Sequence, residues 1–185
     1  EIHGPIGLSP ADLVREAGAS SAVIRGLAEQ GVLIPDQVAA DQPYPPLNTG
    51  DMGAHLSGDQ IAAAKALRAD VAAGGFCATL VYGVTGSGKT EVYLEAVAEC
   101  IASSRQALVL LPEVALTSAF LDRVEARFGA RPAEWHHGVT GAERRRCWHA
   151  VARGEAQLVV GARSSLFLPF ANLGLIVIDE EHEGS

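Results

Sequence analysis

A glycine-rich segment followed by lysine and threonine is the clearest chemical signal in this chain of 185 residues. Residues 83–90 read GVTGSGKT and fit the pattern G-x-x-x-x-G-K-[ST] at every position. Glycines let the backbone approach phosphate oxygens, so that successive N–H groups face the anion. Lys89 then supplies a positive charge to the β- and γ-phosphates, and Thr90 offers its hydroxyl to Mg²⁺. The predicted nucleotide-binding residues of this loop are Gly83, Val84, Thr85, Gly86, Ser87, Gly88, Lys89 and Thr90.

The second chemical signal is an apolar run that ends in acidic residues, because residues 175–182 read LIVIDEEH. A strand that emerges beside a phosphate loop can direct one carboxylate at Mg²⁺ and another at the attacking water. We therefore predict that Asp179 holds Mg²⁺ through water and that Glu180 is the base or water-orienting residue. Together with Lys89 these acids are the predicted catalytic residues, and Thr90 and Asp179 form the predicted Mg²⁺ site.

These residues need a scaffold in which strands and helices alternate. The runs at 107–111 and 175–178 are apolar throughout, which is typical of parallel strands covered on both faces. Ser57 begins a capping-box pattern for a helix that reaches about Ala73. Strands are predicted at 77–82, 107–111, about 133–136, 157–160 and 175–178, and helices near 89–102, 117–128 and 141–153. The predicted fold is α/β, a doubly wound layer with a parallel sheet.

Residues 9–34 predict a smaller helical unit before this layer. A helix over Pro10–Ala17, a second helix capped by Ser20 and a possible short strand at 32–34 resemble a helix-turn-helix or winged-helix module. A helical hairpin used only for packing is an equal alternative. Proline and glycine are frequent in 35–53, which is typical of a linker. The predicted domains are a partial winged-helix-like module at 1–34, a linker at 35–53 and the α/β domain at 54–185.

Composition limits the partners. The net charge is −8, so the protein is not held on DNA by bulk positive charge, and any contact with nucleic acid must be local. No apolar run reaches the ~20 residues that span a bilayer, and no signal peptide opens the sequence. We therefore expect a soluble, cytoplasmic protein without membrane contact. The three cysteines, Cys77, Cys100 and Cys147, show no paired spacing, so we expect buried, reduced thiols and no zinc site in this stretch.

Extended motifs make the chain resemble a known family. They read GVTGSGKTEVYL at 83–94, LPEVALT at 111–117, GARSSLF at 161–167 and NLGLIVIDEEH at 172–182. The motif Asp-Glu-Glu-His is of the DExH type found in superfamily-two helicases. The whole set resembles the PriA family of primosomal replication-restart DNA helicases, also called primosomal protein N-prime. The resemblance is dense from Leu56 to Glu183 and looser over 9–34.

The resemblance implies a RecA-like P-loop NTPase lobe and an ATP-driven 3′-to-5′ DNA helicase that uses ATP and Mg²⁺. It implies single-stranded and forked DNA as substrates, with other primosome proteins and single-strand-binding protein as partners. It also implies site residues beyond the phosphate loop. Gln60 is expected to read adenine, His182 to couple the nucleotide site to DNA, and Pro112, Glu113 and Arg163 to contact or position the DNA strand.

Members of this family continue well beyond the acidic strand. They carry a second motor lobe with an arginine for the transition state, a cysteine-rich zinc region and an N-terminal domain that binds DNA 3′ ends. The chain therefore resembles a fragment that is inactive by itself, with zinc expected only in the missing C-terminal part. Two alternatives stay open: a P-loop ATPase that remodels or restricts nucleic acid without unwinding it, and a nucleotide-responsive docking module.

Overall fold

The computed structural model describes residues 10–33, 43–50, 53 and 55–179. The chain separates into two compact units, Glu1–Gln42 and Pro43–Ser185. The helices are α1 (Pro10–Ala17), α2 (Ser21–Glu29), α3 (Gly58–Ala73), α4 (Lys89–Ala102), α5 (Ser118–Phe128) and α6 (Gly141–Ala152), and the strands are β1 (Gln106–Leu110), β2 (Ala133–Trp135), β3 (Leu158–Gly161) and β4 (Leu173–Ile178). Short 3₁₀ turns follow β1 at Glu113–Ala115 and β3 at Arg163–Phe167. No helix in the described ranges combines the length and apolar character needed to cross a bilayer.

The first unit contains α1 and α2, which pack against each other as the spacing predicted. The side chain of Ser20 accepts a hydrogen bond from the backbone N–H of Val23 and caps α2. Ile24 is the buried residue of this helix. The short strand predicted at 32–34 is wrong over its described part, because residues 32 and 33 form a bend, and residue 34 lies outside the described residues.

The second unit is built on a parallel sheet with the strand order β2-β3-β1-β4. The α/β class and the parallel sheet predicted from the apolar runs are confirmed. Every residue of β1 is buried, because helices cover both faces of the sheet. One core contains α4 and α5 side chains such as Leu94 and Phe128, and the other contains α6 side chains such as Cys147 and Val151.

The strand predicted at 77–82 is wrong. The structure assigns these residues no regular secondary structure, and Leu80 and Tyr82 are 88% and 95% exposed. Gly74 and Gly75 both have positive φ and redirect the chain after α3. An apolar pattern shows that a segment is suited to burial, but a strand also needs a neighbour for its backbone hydrogen bonds. None of the four described strands pairs with this segment.

The cysteines divide into two classes. Cys100 and Cys147 are fully buried, and burial raises the pKa of each thiol to about 11. They are the inert, reduced thiols that the composition predicted. Cys77 is exposed because it lies in the segment without secondary structure, so the expectation of a buried thiol is wrong there.

One buried side-chain amide at the start of β1 forms hydrogen bonds with backbone groups of neighbouring segments. Gln106 is 3% exposed, and its side-chain N–H groups donate to the carbonyls of Val151 and Ala156 at 3.1 and 2.9 Å. Its side-chain oxygen accepts a hydrogen bond from the backbone N–H of Asn172 at 3.0 Å. A single side chain therefore satisfies backbone groups at the end of α6, before β3 and before β4.

We expect Gln106→Met to lower the free energy of unfolding by about 2–4 kcal/mol, because it leaves several buried polar groups without partners. Urea titration followed by circular dichroism measures this loss. The matched change Gln157→Met removes one partly buried bond, to the N–H of Leu47, and should cost about 1 kcal/mol. Equal losses for the two variants would contradict the account of Gln106.

Candidate nucleotide-binding site

The glycine-rich loop leads directly into α4. Gly88 is the residue before the helix and has φ 79°, a left-handed conformation that favours glycine. At Gly83 the constraint is space, because an added Cβ would lie 2.7 Å from the hydroxyl oxygen of Ser87. The N–H of Ser87 donates to the carbonyl of Val84 at 3.1 Å and closes a turn within the loop. The loop therefore has the compact backbone that anion binding by successive N–H groups requires.

Lys89 is the first residue of α4, and its ammonium group turns back into the loop. It donates to the carbonyl oxygens of Gly83 and Val84 at 3.0 and 3.1 Å. Both acceptors are neutral, so these bonds hold the side chain in place without cancelling its charge. A phosphate oxygen that replaces one of these carbonyls would gain a charge-assisted hydrogen bond.

Gln60 joins the first turn of α3 to the loop. Its side-chain oxygen accepts a bond from the backbone N–H of Ser57 at 2.7 Å, which completes the predicted capping box. Its side-chain N–H donates to the carbonyl of Ser87 at 2.8 Å, and a Cβ at Gly88 would collide with this amide. Both ends of the amide thus bind protein atoms. Its reading of adenine stays a prediction.

Asp179 directly follows β4 and contacts α4. Its backbone N–H donates to the carbonyl of Leu110 at 2.9 Å, which extends the pairing of β4 with β1 by one residue. Its carboxylate oxygen Oδ2 accepts a hydrogen bond of 2.8 Å from the hydroxyl of Tyr93. Thr90 lies three residues before Tyr93 on α4 and so shares its face of the helix. Tyr93 therefore joins Asp179 to the helix that also carries Thr90.

Sequence reasoning missed Tyr93. Burial, followed by the charge of Asp179, raises the pKa of this phenol well above its usual range, so the hydroxyl remains a proton donor near neutral pH. The available signal was its spacing, because a residue three positions after Thr90 on a helix shares its face.

The donors at this site fit a magnesium nucleotide. Mg²⁺ takes oxygen ligands, keeps several waters and is commonly held by one or two carboxylates together with substrate phosphates. The hydroxyl of Thr90 and the carboxylate of Asp179 are donors of this kind. Among the described residues, no group of three or more His, Cys, Asp or Glu side chains forms a metal cage.

The other predicted site residues follow strands at the same edge of the sheet. Pro112 comes after β1 and is half-buried, and Glu113 begins the 3₁₀ turn that follows. Arg163 comes after β3 and is exposed. Because the sheet is parallel, these positions lie at the edge that also carries Asp179. Glu180 and His182 lie outside the described residues.

Comparison with known proteins agrees with this arrangement. Residues 58–185 match the family model described as DEAD/DEAH box helicase. The chain is 37% identical to "Replication restart protein PriA" of Bacillus subtilis, over 97% of the chain and 23% of that protein. It is 35% identical to the protein of that name in Chlamydia muridarum, over 96% of the chain and 24% of the relative. For Rickettsia conorii the identity is 51%, over 58% of the chain and 16% of the relative. The chain thus spans about a quarter or less of these curated relatives.

We expect Lys89→Ala to weaken ADP binding by at least about tenfold, because loss of a hydrogen bond to a charged group costs ~1.5–3 kcal/mol. Titration of a fluorescent ADP analogue measures the change. Lys65→Ala is the matched control, since Lys65 is the other of the two lysines and is exposed on α3. Unchanged ADP affinity in Lys89→Ala would show that the ammonium group does not contact phosphate.

Proposed function

Because the chain belongs to the DEAD/DEAH box helicase family, we propose that it forms the ATP-binding lobe of an ATP-dependent DNA helicase that acts in replication restart and primosome assembly. The observation that carries this proposal is the contact between α4, which follows the glycine-rich loop, and the acidic residue at the end of β4. Tyr93, three residues after Thr90, donates its hydroxyl to Asp179 across 86 positions of sequence. The names of the relatives support the role in replication restart.

The chemistry that we propose for the lobe is hydrolysis of the terminal phosphate of ATP. The N–H groups of residues 83–88 and the N-terminus of α4 bind phosphate oxygens. Lys89 binds the β- and γ-phosphates, while Thr90 and Asp179 hold Mg²⁺, which neutralises phosphate charge when it is bound. Glu180 orients the attacking water and takes its proton.

Gln60 is proposed to read adenine. Its amide now bonds the N–H of Ser57 and the carbonyl of Ser87. To bind a base edge, the amide must exchange or share one of these bonds. Adenine recognition by Gln60 would therefore depend on the position of the phosphate loop, because the same amide bonds the loop at Ser87.

The proposed DNA path runs along the edge of the sheet where the strands end. Pro112, Glu113 and Arg163 are assigned to it by their motifs, and His182 is assigned to coupling by its place after Asp179. The exposed guanidinium of Arg163 is suited to a backbone phosphate. Single-stranded and forked DNA, the 3′-to-5′ direction, the primosome partners and single-strand-binding protein are proposed on the resemblance. The cytoplasmic location is proposed with them, because a protein that acts in replication restart must reach the chromosome.

The remaining length of the relatives is proposed to supply what this lobe needs. A second lobe would bring the arginine that stabilises transition-state charge, and zinc would bind a cysteine-rich region there. Such an arginine is worth about 10³–10⁵ in rate. Residues 10–33 contain two helices. That they belong to a winged-helix-like module, and that this module binds DNA or protein, is part of the proposal.

We expect the 185-residue chain alone to bind ADP and to hydrolyse ATP at least about 10³-fold more slowly than the full-length protein, since we assign the transition-state arginine to the second lobe. Release of inorganic phosphate measures both rates, with and without single-stranded DNA. Strong DNA-stimulated hydrolysis by the chain alone would contradict the two-lobe mechanism.

In the full-length protein, Glu180→Gln should leave ATP binding intact and lower turnover by about 10²–10⁴-fold, because it removes the general base. Glu181→Gln is the matched control and should retain turnover. Displacement of a labelled strand from a forked DNA separates the functions. If ATP is hydrolysed on DNA without strand displacement by the unmodified protein, an ATPase that remodels nucleic acid replaces the helicase.

A further inference from the structure

The backbone of Asp179 is fixed by the sheet, but its carboxylate is not. The bond from its N–H to the carbonyl of Leu110 sets the position of the main chain at the end of β4. The side chain can still rotate about its two dihedral angles. A carboxylate that must face a metal-bound water needs a further contact to select one rotamer.

Tyr93 supplies that contact from a rigid position. Its ring is 5% exposed and belongs to the core formed by α4, β1 and α5. Only the hydroxyl reaches the site, where it donates to Oδ2 of Asp179 at 2.8 Å. The bond engages one lone pair of Oδ2, so the other lone pairs of the carboxylate can still face a metal-bound water.

Tyr93 joins the two sides of the predicted metal site. Thr90 lies on the preceding turn of the same face of α4, and Asp179 accepts from the phenol across the gap between helix and strand. We propose that Tyr93 is a positioning residue that holds the Asp179 carboxylate at a fixed place relative to Thr90, so that the two bind one Mg²⁺ together with the nucleotide. This proposal rests on the proposed function, because it requires Asp179 to act on Mg²⁺.

A packing role predicts a different result from a positioning role. If Tyr93 only fills the core, a phenylalanine ring fills the same space, and loss of the hydroxyl changes stability alone. If Tyr93 positions Asp179, loss of the hydroxyl changes the dependence of nucleotide binding on Mg²⁺. Partners of metal ligands that lie outside the coordination sphere typically contribute about 10–100-fold to metal affinity.

The test is the binding of a fluorescent ADP analogue to the chain at a series of MgCl₂ concentrations, with an EDTA reference. We expect Tyr93→Phe to leave the affinity in EDTA unchanged and to raise the half-saturating Mg²⁺ concentration by about tenfold. Tyr82→Phe is the matched control, because Tyr82 is exposed and directly precedes the loop. It should change neither quantity. Thermal unfolding of each variant verifies that the fold is kept.

Asp179→Asn separates this proposal from the proposed function. It should raise the half-saturating Mg²⁺ concentration itself, and adding Tyr93→Phe to it should produce no further rise. If Asp179→Asn shifts the Mg²⁺ dependence and Tyr93→Phe does not, the positioning role is wrong and the metal site stands. If Tyr93→Phe weakens ADP binding equally in EDTA and in Mg²⁺, the tyrosine acts on the loop instead. If neither variant shifts the dependence, the assignment of Asp179 to Mg²⁺ also fails.

Discussion

The pairing of β4 with β1 is the constraint on which the candidate site depends. β1 is buried along its whole length and pairs in parallel with β3 on one side and β4 on the other. Parallel strands place their carboxyl ends at one edge, where loops can bring side chains from distant positions together. The bond from Asp179 to Leu110 continues the β1–β4 register to the acidic residue itself. α4 packs against this sheet and presents the hydroxyl of Tyr93 to Asp179.

Local signals predicted local structure well. The range 89–102 for α4 was predicted and observed, and the capping box at Ser57 forms as its spacing indicated. In each case the information lies within one turn of helix, because caps and phosphate loops are made by residues three or four positions apart. The strand at 77–82 failed for the opposite reason. Its apolar residues do not show which strand would pair with it, because strand pairing depends on the arrangement of the whole sheet.

The contacts missed by sequence reasoning join positions that are far apart. Tyr93 and Asp179 are close together because β4 pairs with β1. The sequence around each residue therefore gives no sign of their hydrogen bond. The proline-rich composition of the predicted linker likewise does not predict the hydrogen bonds that residues 43–50 make within their own unit. The N–H of Asn48 donates to the carbonyl of Phe128, and Arg127 donates to the carbonyl of Gly50. Proline-rich composition predicts stiffness, but it does not predict which surface a stiff segment lies on.

The distribution of charge bears on how the proposed phosphate loop can bind an anion in an acidic protein. The chain has 22 acidic and 14 basic residues other than histidine, so long-range attraction does not bring an anion to it. Several arginines are held by carboxylates, as in the pairs Arg68–Glu99, Arg131–Asp122, Arg131–Glu125 and Arg153–Glu155. The hydrogen bonds of Lys89 are of another kind, because they go to two main-chain carbonyls. Its charge is thereby positioned without being neutralised, and the backbone N–H groups of the loop add fixed dipoles beside it. On the proposed function, affinity for a polyphosphate would come from a few oriented groups at short range, which ionic strength screens less than it screens a diffuse surface charge.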